Sequence, residues 1–150
     1  MQIMFKKVWV VLFVLFFFSL ANAENIYLSL KKDRVNVRYG PSFESPIKYV
    51  YKKINLPIKQ IDKKENFRRI VDLKNNSGWI HVSQLKKSNS IIALTEKILF
   101  QKPSNFSKPI ARLEKGRLLI VKKCQKKWCN ITTENYTGWI KNNNVWGSIK

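Results

Sequence analysis

Acidic residues, glycine, cysteine and histidine are all scarce here: nine Asp and Glu, five Gly, two Cys and one His in 150 residues. Each scarcity excludes something. A metal site would need two ligands beyond the cysteine pair Cys124 and Cys129, which the single His81 cannot supply, so no metal is expected. The few carboxylates are scattered and offer no pair for acid–base hydrolysis of a glycosidic bond. Nucleophilic Cys–His chemistry requires a free thiol, which an oxidised cysteine pair does not give. Catalytic residues and cofactors are therefore expected to be none. After residue 23 the chain also lacks a second long hydrophobic run and any apolar period of 3.6 residues long enough for a helix.

What is present begins with Lys6 and Lys7, an unbroken apolar run over 8–18, and Ala21-Asn22-Ala23. This is the pattern of a secretory signal peptide over 1–23, cleaved after Ala23. A retained anchor is the competing reading, although the run falls well short of the ~20 residues that span a bilayer. No Cys follows the run to carry a lipid. Cleavage would leave an exported chain with no transmembrane span.

Basic residues dominate: 29 Lys and Arg give a formal charge of +20, falling to +18 once Lys6 and Lys7 are removed. Such charge attracts phosphate polymers, but export argues against nucleic acid and for anionic wall polymer, lipid head groups or acidic proteins. The charge also reads as a solvated face, because Lys rather than Arg supplies most of it and Arg is the residue of bidentate recognition. The densest cluster is Lys122, Lys123, Lys126 and Lys127, a basic patch candidate beside the cysteines. In an exported chain Cys124 and Cys129 are expected to form a disulfide across a hairpin. Closing so small a ring stabilises by only about 2 kcal/mol.

The remainder reads as short strands. Residues 24–32 alternate as an edge strand, with Ile26, Leu28 and Leu30 on one face and Tyr27, Ser29 and Lys31 on the other. Val35 and Val37 resume the alternation, and Gly40-Pro41 turns the chain into a loop through Pro46. Strands are expected over 47–51, 56–61 and 67–73, with a turn at 75–78 leading into Trp79. Residues 86–90 form a polar boundary. Beyond it the landmarks recur: Pro41 answers to Pro103, Pro46-Ile47 to Pro109-Ile110, Phe67 to Trp128, and Gly78-Trp79-Ile80 to Gly138-Trp139-Ile140. A repeat near 60 residues is that of two complete small domains. The fold class is all-β: two tandem small β-barrels, a first unit over 24–86 and a divergent second over 91–150.

The sequence VNVRYGPSFESPIKYV, the aromatic strand at Phe67 and the closing GWIHVSQL resemble the bacterial Src homology 3-like domain. The likeness covers residues 35–85 well and residues 98–146 in part, since Lys102-Pro103-Ser104 stands where the first unit has its Gly-Pro-Ser loop. The whole chain resembles exported proteobacterial proteins with two tandem domains of this type. That resemblance implies a five-stranded barrel per unit, a periplasmic location, and a role in recognising peptidoglycan or an envelope peptide or protein.

Such a barrel offers its loops to ligands. The expected ligand-binding residues are Arg38, Tyr39, Phe43, Lys48 and Tyr49, an aromatic platform beside two cations; packing of Tyr49 into the core is the alternative. Trp79 and Trp139 are expected to close each barrel against Phe67 and Trp128, and His81 to be an ordinary strand residue. The function expected is a non-catalytic binding or adaptor module. The alternatives are an assembly protein pairing through its edge strands and a charge-driven binder of anionic surfaces.

Overall fold

A computed structural model describes residues 25–149; the signal peptide expected over 1–23 lies outside them. The first unit contains β1 (Tyr27–Leu30), β2 (Val35–Arg38), β3 (Ile47–Tyr51), β4 (Pro57–Lys64), β5 (Phe67–Val71), β6 (Ser77–His81) and β7 (Leu85–Lys87), with one 3-10 turn at Val82–Gln84. The second contains β8 (Ser90–Ala93), β9 (Lys97–Phe100), β10 (Pro109–Leu113), β11 (Leu118–Gln125), β12 (Trp128–Thr133), β13 (Tyr136–Lys141) and β14 (Val145–Gly147).

The sheet orders are β3-β2-β6-β5-β4-β1-β7 and β10-β9-β13-β12-β11-β8-β14. Strand for strand, the second order is the first repeated. Each unit thus has seven short strands where the resemblance implies five, because its lead-in strand pairs on both sides. β1 lies between β4 and β7 and is no edge strand; β3 and β7 are the edges.

Both sheets curl. In a flat sheet, β2 and β7 would lie five strand spacings apart, about 24 Å. Instead Val35 and Val37 of β2 share one core with Leu30, Ile58, Ile70, Ile80 and Leu85 of β7. Leu99, Leu113, Leu119, Cys129, Ile131 and Ile140 build the second core in the same way. Gly78 and Gly138 permit the closure. A Cβ on Gly78 would lie 2.4 Å from Val37 Cγ1, and one on Gly138 would lie 2.7 Å from the Phe100 carbonyl.

Two-residue hairpin loops join β4 to β5 and β11 to β12, with Glu65 and Lys126 at positive φ. Cys124 and Cys129 lie directly opposite each other on the second hairpin and form the disulfide. The β5–β6 turn is held by Asp72. Its Oδ1 accepts from the Lys74 and Asn76 amides at 2.8 and 2.9 Å, and its Oδ2 from Asn76 Nδ2 at 3.0 Å and the Tyr51 hydroxyl at 2.9 Å. Burial alone would raise this carboxyl's pKa, but the hydrogen bonds from Asn76, Tyr51 and Lys74 outweigh it and leave the pKa below the usual range. A depressed carboxylate stabilises the fold above its unfolded pKa of about 3.9, and that contribution is lost as pH falls further. Asp72→Asn is therefore expected to lose about 1–3 kcal/mol at neutral pH and to show a shallower acid dependence, measured by urea unfolding between pH 7 and 3. An equal acid slope would contradict this role.

Ser88 and Asn89 alone separate β7 from β8; Ser88 is buried and Asn89 is exposed. Ser29, on the face expected to meet solvent, is fully buried because the second unit covers it. Ser90 Oγ donates to the Asn55 carbonyl at 2.6 Å. A hydroxyl carries one proton, so Ser29 donates to Ser90 at 2.6 Å, and the Ser88 proton is shared between Ser29 Oγ at 3.0 Å and the Ser90 carbonyl at 3.4 Å. Trp146 of β14 packs edge-on against Tyr27 at 5.3 Å, adding an aromatic contact between the units.

Lys97 shows where the repeat has diverged. It faces Leu113 as Val35 faces Tyr51, so a lysine occupies an inward position that is valine in the first unit. It is only 6% exposed, and its amine donates to the Asn143 carbonyl and, at 3.3 Å, to Asn143 Oδ1. Burial lowers its pKa. The charged form is thus disfavoured by folding, and that cost disappears as pH rises toward the unfolded value of about 10.4. Lys97→Met is expected to be more stable than the native chain at pH 7, with a smaller advantage at pH 10. A pH-independent difference in urea midpoints would contradict this.

Candidate functional site

The site lies on the outer face of β2, β5 and β6. On β6, Gly78 and Ile80 point inward, so Ser77, Trp79 and His81 point outward. Trp79 therefore does not close the barrel against Phe67, which pairs instead with His81. Trp79 stands opposite Arg69 on β5 and opposite Arg38 on β2, in a row of arginine, tryptophan and arginine across three strands. Arg38, Tyr39, Lys48, Arg69, Ser77, Gly78 and Trp79 line a cleft of about 280 Å³.

Arg38 organises the loop that walls this cleft. Its Nη1 donates to the Phe43 carbonyl at 2.9 Å and the Ser45 carbonyl at 2.7 Å, and its guanidinium lies 5.6 Å from the Phe43 ring centre. Lys48 occupies a bulge of β3, between the Val37–Tyr49 and Arg38–Ile47 pairs. A bulge re-aims its side chain: Lys48 Nζ donates to the Ser77 carbonyl at 2.9 Å and lies 5.6 Å from the Tyr39 ring centre. Tyr39 is 65% exposed.

Four of the five expected residues thus gather around this loop, and the fifth does not. Tyr49 packs against the core, with its ring 5.2 Å edge-on from Tyr51 and its hydroxyl 3.4 Å from that of Tyr51. Burial raises the pKa of the Tyr49 hydroxyl. Phe43 leans away from the cleft onto Phe67 at 5.2 Å and the His81 ring at 4.8 Å. His81 Nδ1 is 2.8 Å from Ser83 Oγ, so the histidine caps the 3-10 turn.

Arg69 and Trp79 line the candidate cleft, whereas from sequence Arg69 is given no role and Trp79 is expected to close the barrel. The signal was present in the alternation: with Ile70 and Ile80 inward, Arg69 and Trp79 must point outward.

The second unit repeats the scaffold without the two arginines and without the bulge lysine. Trp139 stands opposite Phe100 and Asn130, where Trp79 faces Arg38 and Arg69. Ile110 fills the bulge that Lys48 fills in the first unit. Lys123 lies 5.6 Å from the Trp139 ring centre and Lys141 lies 6.0 Å from that of Trp128. The basic patch is exposed at all four lysines, and it divides: Lys122 and Lys123 line a cleft of about 340 Å³ with Lys86 and Lys87, while Lys126 and Lys127 form the hairpin tip.

Among solved structures, NlpC2 from Trichomonas vaginalis is similar at 13% identity, covering 83% of this chain and 48% of that one, with a TM-score of 0.38. NlpC1 from the same organism is similar at 12% identity, covering 81% of this chain and 45% of that one, with a TM-score of 0.37. The chain spans less than half the length of either. No curated protein matches it. The bacterial SH3 domain matches residues 31–87 and again residues 95–147, the two units of the repeat. The chain belongs to the bacterial SH3 domain family and carries that domain twice.

Proposed function

We propose that this chain is an exported, non-catalytic module of the periplasm that binds peptidoglycan through the cleft of its first unit. One observation carries the reading: three cations, Arg38, Lys48 and Arg69, line the cleft with Tyr39 and Trp79, and no carboxylate does. Cations beside flat aromatic faces suit a carboxylate next to a sugar ring or an extended peptide, and the wall polymer presents both. The non-catalytic part is supported by the oxidation of both cysteines and by the setting of His81 between Phe43, Phe67 and Ser83.

A specific observation favours a second reading, adhesion to anionic surfaces by charge alone: Lys86, Lys87, Lys122 and Lys123 converge on one cleft. Salt separates the two. Exposed charge pairs are screened over about 10 Å at 0.1 M, whereas aromatic contacts persist. Co-sedimentation of residues 24–150 with purified sacculi tests the proposal, with retention expected to survive high salt. Retention that vanishes with added salt would overturn it in favour of charge-driven adhesion.

A further inference from the structure

The two units differ most where their long loops return. The loop backbones superpose by hydrogen bonds: Tyr39 N to Pro46 O and Gln101 N to Lys108 O, Ser45 N to Ser42 O and Ser107 N to Ser104 O, Glu44 N to Ser42 Oγ and Phe106 N to Ser104 Oγ. Each correspondence spans 62 residues. The counterpart of Phe43 is therefore Asn105, not Phe106. In the first unit the Phe43 ring covers the Phe67–His81 pair. The equivalent pair in the second unit is Trp128–Lys141. Asn105 has no ring to lay over it. A cleft of about 370 Å³ lies there, lined by Phe100, Asn105, Lys141, Asn143 and the buried Lys97; Trp128 is outside its lining and meets the Phe100 ring edge-on at 5.6 Å. Phe106, next to it on the loop, is fully exposed.

We infer that this cleft of the second unit binds a partner segment by taking in an aromatic side chain, at the place where the first unit inserts its own Phe43. The occupant is a peptide with acidic residues flanking that aromatic. Lys141 supplies an exposed cation, Lys97 is buried with its amine held by Asn143, and the one acidic lining residue, Glu96, is engaged by Arg112 at 3.2 Å. Complementary charge would orient the segment, the ring would supply the buried anchor, and Phe106 would add apolar contact beside it. This site is separate from the wall cleft and does not depend on it.

The test is an NMR titration of residues 24–150 with an acetylated Glu-Asp-Phe-Glu tetrapeptide amide and with the same peptide carrying alanine for phenylalanine. The phenylalanine peptide is expected to bind roughly tenfold tighter, as burial of one aromatic ring warrants, and to shift the resonances of Phe100, Asn105 and the Trp128 indole. Asn105→Phe, which gives the second unit its own covering ring, should weaken the peptide at least tenfold while retention on sacculi is unchanged. Lys141→Glu, an exposed change, should weaken the same peptide if Asn105→Phe folds poorly. Equal affinity for the two peptides, shifts confined to Tyr39 and Trp79, or loss of sacculus binding in folded Asn105→Phe would each overturn the assignment.

Discussion

Gly138→Ala should unfold the second unit at temperatures where the native chain is folded, and Gly78→Ala should damage the first unit in a way that a second change repairs. β6 crosses β2 with one registered pair, Trp79 with Arg38, and β13 crosses β9 with one, Trp139 with Phe100. Each glycine sits beside that crossing and faces inward. At Gly138 the new methyl would meet the Phe100 carbonyl at 2.7 Å and Leu99 Cγ at 2.9 Å. A backbone atom cannot rotate aside, so the strands must separate. Overpacking of this kind costs about 1–3 kcal/mol, a large share of the ~5–15 kcal/mol that holds a domain folded. At Gly78 the nearest atom is Val37 Cγ1, at 2.4 Å. Val37 is fully buried and β-branched, so it has little freedom to turn. Removing its methyls in Gly78→Ala/Val37→Ala should recover part of the loss, whereas Leu99→Ala should not rescue Gly138→Ala. Thermal unfolding of the four variants checks this. Equal rescue at both sites would mean that the backbone contact does not govern the crossing.

Trp79→Ala should remove most of the salt-resistant retention on sacculi, by roughly tenfold or more, as the loss of a central aromatic anchor does. Trp79 is the middle of the Arg69–Trp79–Arg38 row, and its ring is the wide flat surface of the cleft. It lies outside the core and is half-buried, so the fold should survive its removal. Trp139→Ala is the matched control. Its strand partners Phe100 and Asn130 stand where Trp79 has two arginines, and Ile110 replaces Lys48, leaving Lys123 as the cation at its ring, so retention should persist. Parallel loss in both variants would mean that the tryptophans act through a shared structural effect.

Much of the fold was legible because period-two alternation has a direct physical cause. Val35, Val37, Ile70 and Ile80 point inward, and the cysteines pair across a hairpin, as their spacing implies. The Gly-Trp-Ile strand was legible as a landmark but not as a mechanism. The need for glycine comes from a neighbouring strand, far away in sequence, whose approach no local pattern encodes. Ser29 misleads for a related reason: its alternation puts it outside the first barrel, and only the second barrel, packed over it, buries it. Tyr49 and Tyr39 both look like platform residues on paper, yet the Lys48 bulge between their strands sends the two rings to different faces.

The loops were the least legible part. Matching Pro46 with Pro109 by sequence puts Phe43 opposite Phe106, but the strand register pairs Arg38 with Ile47 and Phe100 with Pro109, one residue away. That single step decides whether the second unit covers its aromatic face or leaves it open. Residue types point both ways, since matching Pro41 with Pro103 gives Asn105 and matching Pro46 with Pro109 gives Phe106, and the hydrogen bonds decide the count.

The most direct test of the wall-binding proposal is co-sedimentation of residues 24–150 with purified sacculi at low and high salt, comparing the native chain with Trp79→Ala and with Lys86→Ala/Lys122→Ala. The account predicts retention of the native chain at both salts, loss in Trp79→Ala, and little change in the lysine variant. Retention that disappears at high salt, or that depends on the lysines and not on Trp79, would contradict it.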